Sequence, residues 1–256
     1  MDKTLLKGLA VLEALSNMQG EARVIDDLAA RTGLTRSNAH RTLQTLIHAG
    51  YVERDPRDGC YQCTLKMFAM GVRQQGLLDV RKIAPPYMAT LARESGETIH
   101  LSVLDGADVV YIDKIDSIQP IHAYSMVGGR APAHAVATGK ALLSVQTPAR
   151  LDALPAQLPR FTAATITERD LLKEELAKAA RVGYAVNRGE WREGVGGLAA
   201  PVFNGFERAV AALGISGPMA RLSPARMKEL APRLIDVTAQ LSKSLGYTKG
   251  YFGESV

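Results

Sequence analysis

The stretch from Asp26 to Val52, DDLAARTGLTRSNAHRTLQTLIHAGYV, constrains this chain more than any other. It reads as a short amphipathic helix, a glycine turn and a second, basic helix with no gap between them. Leu28 and Ala29 are apolar beside Asp26, Asp27 and Arg31. Gly33 suits the positive φ that ends a helix in a tight turn. Thr35 follows as an N-cap for the next helix. Ala39, Leu43, Leu46 and Ile47 then recur at i, i+4, i+7 and i+8, which makes one buried stripe. The opposite face is left with Arg36, Ser37, Asn38, His40, Arg41, Gln44 and Thr45, donor-rich side chains able to reach phosphates and base edges. No acidic residue occurs from Leu28 to Val52, so this segment meets no like-charge penalty near phosphates. The expected partner is double-stranded DNA, contacted by Thr35, Arg36, Ser37, Asn38, His40, Arg41 and Gln44.

The continuation supports that reading over an ordinary helical hairpin. In YVERDPRDGCYQCTL, the turn Asp55-Pro56-Arg57-Asp58-Gly59 separates two short strand-like runs. The result is a winged helix-turn-helix, with Arg57 at the wing tip as a further candidate contact to the sugar-phosphate backbone. Cys60 and Cys63 form an isolated C-x-x-C without the second pair that structural zinc requires, and they read as two thiols. No metal and no cofactor is expected.

Upstream, Leu5, Leu9, Leu12 and Leu15 mark a first helix that packs under the reader pair. Downstream, Lys66 to Gln75 reads as a connecting helix with Gly76 as a joint; its Met67, Phe68 and Met70 are offered either to a second copy or to the chain's own winged unit. The organisation expected is a winged domain over residues 1–65, a linker helix over 66–76 and a second domain over 77–256. At 256 residues with 46% hydrophobic content, the chain is long enough for two cores. A formal net charge of +5 fits one DNA-binding module beside a part with another task. No apolar run of about 18 residues and no secretory signal pattern occurs, so a cytoplasmic protein without a membrane partner is expected.

The second domain alternates. A helix over Val80 to Glu94, interrupted at Pro85-Pro86, precedes strands at Thr98 to Leu104 and Val109 to Lys114 joined by an Asp105-Gly106 turn, and another at Ile121 to Val127. A helix from Ala135 to Val145 follows, then one capped by Thr167, running to Arg181 and ended by Gly183. Strands at Tyr184 to Asn187, Gly197 to Phe203 and Ala209 to Ser216 lead to a final helix from Ser223-Pro224 to about Leu245, with Pro232 as a point of kinking. This grouping implies an α+β domain with an antiparallel sheet, and an α/β multi-domain chain overall.

Enzyme motifs fail in context. Gly139-Lys140 lacks the rest of a P-loop. Gly194-Val195-Gly196-Gly197-Leu198-Ala199 matches a dinucleotide fingerprint, yet it follows a charged loop and enters a strand, not a helix. No nucleophile elbow or H-E-x-x-H helix is present. The chain reads as no enzyme; the alternative is an enzyme or metabolite-processing domain fused to a DNA-binding module.

Taken in order, RTLQTL, GYVERD, GETIHLSVLDGADVVYIDKIDS, GGRAPAHAVATGKALL, RFTAATIT, RVGYAVNRGEWREGVGGLAAPVF and AALGISGP resemble the IclR family of bacterial transcription regulators along nearly the whole length. The resemblance implies a GAF-like effector-binding domain, a homodimer or a dimer of dimers, and control, such as repression, of a catabolic operon by a small carboxylate. Carried over motif by motif, it points to Ala137, Thr138 and Gly139 at a helix start that favours an anion, to Asn187 and Glu190 as polar partners, and to Ser216 in GISG. Gly197, a further member of this set, and Gly214 stand where relatives often have cysteine or serine. That departure is expected to enlarge the cavity, so a sugar acid or an aromatic acid is as acceptable as a two- or three-carbon one.

Overall fold

In the amino-terminal unit of the computed structural model, three helices and a two-stranded hairpin share one core. The structure describes residues 1–18, 23–75, 80–121 and 125–251. The chain divides into two compact units, Met1–Leu77 and Leu78–Val256. In the first, α1 (Lys3–Asn17) is capped by Asp2, whose carboxylate accepts the backbone N–H groups of Thr4 and Leu5. α2 (Ile25–Thr32) ends at Gly33, whose φ of 64° is the left-handed conformation that the turn demands. α3 (Arg36–His48) opens at Thr35, whose side chain accepts the Asn38 N–H at 3.3 Å. β1 (Val52–Arg54) and β2 (Tyr61–Cys63) pair antiparallel as the wing, and α4 (Leu65–Gln75) follows. Val11, Leu15, Met18, Leu28, Leu43, Val52 and Tyr61 form the core. The stripe expected on α1 is therefore displaced: Val11 and Leu15 are buried, whereas Leu5 and Leu9 are exposed. Gly76 lies outside the described residues.

The second unit is a six-stranded antiparallel sheet covered on both faces. After α5 (Val80–Ile83) and α6 (Pro85–Ser95), the chain forms β3 (Thr98–Asp105) and β4 (Asp108–Ile115), a hairpin turning at Gly106 with φ 65°. β5 (Arg130–Pro132), α7 (Ala137–Leu143), α8 (Pro148–Asp152), α9 (Arg169–Val182) and β6 (Ala185–Arg188) come next. β7 (Val195–Phe203), β8 (Ala209–Pro218) and α10 (Pro224–Ser244) complete it. The strand order is β5-β4-β3-β8-β7-β6.

Two expectations change here. Ser125, Met126 and Val127 do not form a strand, and 122–124 lie outside the described residues. The third strand of the hairpin side is β5, whose Arg130 pairs with Val110. Thr167 does not cap α9; Glu168 holds that position without a side-chain bond. Thr167 is held instead by Leu158, whose N–H donates to its carbonyl at 2.7 Å. α10 continues through Pro232.

Strand alternation divides the sheet into two faces. Ile99, Leu101, Leu198, Ala200, Val202, Leu213 and Ile215 pack with Met88 and Leu91 of α6 and Leu230, Leu234, Val237 and Leu241 of α10. The residues between them on each strand face the other way, where Tyr111, Ala199 and Ala212 pack with Ala137, Ala141 and Leu142 of α7 and Leu172 and Leu176 of α9. Glycine at 139 lets α7 pass close to the segment after β5, because a Cβ there would collide with the backbone of Ala133.

Candidate functional site

Two sites emerge, one in each unit. In the first, the α3 surface opposite its buried Ala39 and Leu43 carries exposed Arg36, Ser37, His40, Arg41 and Gln44. Arg36, Ser37, His40 and Arg41 line a groove shared with Arg54 of β1 and Tyr61 of β2. Arg54 is held over the Tyr61 ring, 5.8 Å from its centroid, and donates to the Gly59 carbonyl at 3.0 Å. Arg54 was not singled out in the sequence; its place opposite Tyr61 in the hairpin register is what brings it to the groove. Thr35 is occupied as the cap, and half-buried Asn38 accepts from Arg41 Nη2 at 2.9 Å, which orients that guanidinium. Arg36 is paired with Asp26 at 3.1 Å, both exposed.

Arg57 stands at the turn of the hairpin, fully projected into solvent, and is paired with Asp55 at 2.7 Å. Asp55 also accepts the Arg57 backbone N–H at 2.9 Å. The Arg57 hydrogen bonds lower the Asp55 pKa to about 2.

In the second unit, a cavity of about 50 Å³ lies between the sheet and α7. Of the residues the sequence points to, Ala137, Thr138, Asn187, Gly197 and Ser216 line it. Gly139 and Glu190 do not. Gly139 is the contact with Ala133 described above. Glu190 is buried with Lys140, whose Nζ lies 2.7 Å from both carboxylate oxygens. Its remaining groups are also held: its N–H donates to Asn187 Oδ1 at 2.9 Å and its carbonyl accepts from Thr165 Oγ1 at 2.6 Å. Glu190 therefore fastens the wall of the cavity from outside, immediately before Trp191 and Arg192, which line it.

The glycines do not enlarge this space. A Cβ at Gly214 would lie 2.7 Å from Thr138 Cγ2, and one at Gly197 would lie 2.5 Å from the Ile215 carbonyl oxygen. The room released by the missing side chains is already filled by α7 and by the neighbouring strand.

His100, Tyr111, Trp191 and Arg192 also line it and were not anticipated from the sequence. His100 Nε2 meets Ser125 Oγ at 2.6 Å, and its ring lies 4.6 Å from that of Tyr111. Burial pushes the His100 pKa down to about 4 and the Tyr111 pKa up to about 12, so both rings are neutral near pH 7. Arg192 lies over the Trp191 ring, 4.4 Å from its centroid. Among the described residues it is then the single charged group in the lining, and none of them brings a carboxylate. The polar phase of β3, with Thr98, His100 and Ser102 alternating with Ile99, Leu101 and Val103, is the sequence signal that could have revealed this face.

The comparisons with known proteins agree with this division. Residues 4–56 match the IclR helix-turn-helix domain, and residues 74–243 match the bacterial transcriptional regulator IclR C-terminal domain. The chain is 36% identical over 243 residues to the HTH-type transcriptional regulator XynR of Escherichia coli K12, covering 94% of this chain and 96% of that one. It is 34% identical over 248 residues to KdgR of the same organism, covering 95% and 93%. Among solved structures, the Agobacterium tumefaciens repressor BlcR superposes with a TM-score of 0.75 at 27% identity, covering 96% and 98%. An IclR homologue from Microbacterium hydrocarbonoxydans complexed with 4-hydroxybenzoate superposes at 0.59 with 26% identity, covering 95% and 99%. Matches to both domains of the family, together with the full-length similarity to XynR, place this chain in the IclR family of bacterial transcriptional regulators.

Proposed function

We propose that this chain is a ligand-responsive repressor that binds operator DNA through α3 and the wing and senses a small carboxylate in the cavity beside α7. The observation that carries the reading is the charge of that cavity: among the described residues, one guanidinium, Arg192, the neutral rings of His100, Tyr111 and Trp191, and no acid. Such a lining favours an anion. The solved relative that holds 4-hydroxybenzoate supports the carboxylate class. Its size does not transfer, because the cavity here is about a third of the roughly 150 Å³ that holds a benzene ring. A short acid fits this enclosure, and an aromatic one requires it to open.

The reader belongs to the first unit and the cavity to the second, so the effector acts by favouring one arrangement of units or subunits over another. Self-association supports the reading as well. α1 and α4 expose Leu5, Leu6, Leu9, Leu65, Phe68 and Met70, an apolar supply for a second copy, and one reader helix alone covers few base pairs.

The test is thermal unfolding of the full chain against short carboxylates, followed by operator titration with and without whichever acid stabilises it. A ligand that binds only the folded state adds RT ln(1 + [L]/Kd) to stability. Thr138→Phe fills the cavity and is expected to remove both the stabilisation and the DNA response. An operator affinity that responds normally in Thr138→Phe places the effector elsewhere.

A further inference from the structure

We infer that the effector carries a hydroxyl group as well as its carboxylate, and that Tyr111 and Thr138 are the residues that select it. This inference rests on the carboxylate reading above.

Both side chains line the cavity while being almost fully buried, with Tyr111 at 5% and Thr138 at 4% exposure. Among the described residues, no hydrogen-bond partner meets either hydroxyl. Among the described residues that line the space, the side chains of Asn187, His100, Ser125 and Ser216 are engaged. Asn187 Oδ1 accepts the Glu190 N–H, His100 is bonded to Ser125, and Ser216 Oγ donates towards the Gly196 carbonyl at 3.4 Å. The two free hydroxyls come from different elements, β4 and α7, and their positions are fixed by packing. The Tyr111 ring packs against that of His100, centroids 4.6 Å apart and tilted by 38°. Thr138 turns its Cγ2 methyl towards Gly214, where a Cβ would lie 2.7 Å away, so this rotamer needs glycine there.

Burial keeps the Tyr111 phenol protonated, so it offers a donor, while the Thr138 hydroxyl can donate or accept. An alcohol on the ligand can accept from the first and donate to the second. A methylene in the same place leaves both hydroxyls buried and unpaired, which is the costly half of the hydrogen-bond asymmetry. A site constructed to bond an alcohol therefore rejects its deoxy analogue far more strongly than an apolar pocket rejects an added methylene.

The experiment is calorimetric titration of the full chain with propionate, lactate, glycerate and glycerol, in wild type, Tyr111→Phe, Thr138→Val and Arg192→Gln, each checked for folding by its thermal transition. Expected is a preference for a hydroxy acid over propionate of about ten-fold or more in wild type. Tyr111→Phe and Thr138→Val reduce that ratio several-fold while leaving propionate binding unchanged or improved. Arg192→Gln weakens all three acids together and leaves glycerol unaffected. An unchanged ratio in both hydroxyl variants, with acids still lost in Arg192→Gln, overturns the hydroxyl inference and leaves the carboxylate reading standing. Binding of none of the acids to the folded wild type overturns both.

Discussion

Lys140 and Glu190 stand 50 residues apart in sequence and meet in the interior, with one ammonium 2.7 Å from both oxygens of one carboxylate. Burial pushes the Lys140 pKa down and the attraction of Glu190 opposes it. Removing one partner leaves the other buried and uncompensated, so Lys140→Met is expected to lower stability by about 3 to 5 kcal/mol in urea denaturation. The double variant Lys140→Met with Glu190→Leu is expected to recover much of that loss. A single variant within about 1 kcal/mol of wild type contradicts the assignment of the pair as a buried clamp.

The reader helix gives the second expectation. Arg41 and Gln44 are exposed on the same helix one turn apart, and Arg41 is oriented by Asn38. Replacing either by alanine is expected to cost specific binding on the order of 1 to 3 kcal/mol per lost bidentate base contact, with non-specific binding much less changed for Gln44→Ala. Fluorescence anisotropy on operator and scrambled duplexes measures both. Equal losses on the two duplexes in Gln44→Ala argue against base reading by this residue.

The wing gives the third. Arg57 is paired with Asp55, which places a negative charge at the wing turn. Asp55→Asn retains an oxygen for the Arg57 backbone N–H and releases the guanidinium. It is expected to strengthen binding to all duplexes alike, and Arg57→Ala is expected to weaken all alike and reduce the log K against log salt slope by about one unit. A change in preferred sequence in either variant means that the wing reads bases.

The fourth concerns pH. His100 titrates near 4 when folded, because burial disfavours its charged form, against 6.5 for an unperturbed imidazole. Between those values the unfolded chain binds the extra proton. The stability it contributes is complete above about pH 6.5 and is lost as pH falls towards 4, a change on the order of 3 kcal/mol. Comparing urea midpoints of wild type and His100→Gln from pH 7 to 4 isolates this group. Parallel pH profiles for the two proteins contradict it.

What the sequence made legible follows the range of each signal. Gly33 and Thr35 act within a turn of their own positions, and both the turn and the cap are where local chemistry puts them. Thr138, Asn187 and Ser216, named from their motifs, line one cavity. Glu190 was read as a polar partner of the ligand from its motif alone, and the lysine that claims it comes from a helix far upstream. His100 and Tyr111 meet only through the β3–β4 register, which no local window reveals. On α1, evenly spaced leucines concealed the buried line through Val11 and Leu15.

The sheet of the second unit separates two kinds of change. On one side, α6 and α10 close over a continuous apolar surface that includes Ile99, Leu101, Leu213 and Ile215. On the other, the same strands present His100, Gly214 and Ser216 to a small chamber roofed by α7. A substitution that retunes the chamber leaves the load-carrying side intact, as each strand sends alternate residues to opposite neighbours. Descendants of such a chain can exchange one signal molecule for another by altering a few positions of a single phase, while the body of the protein goes on folding as before.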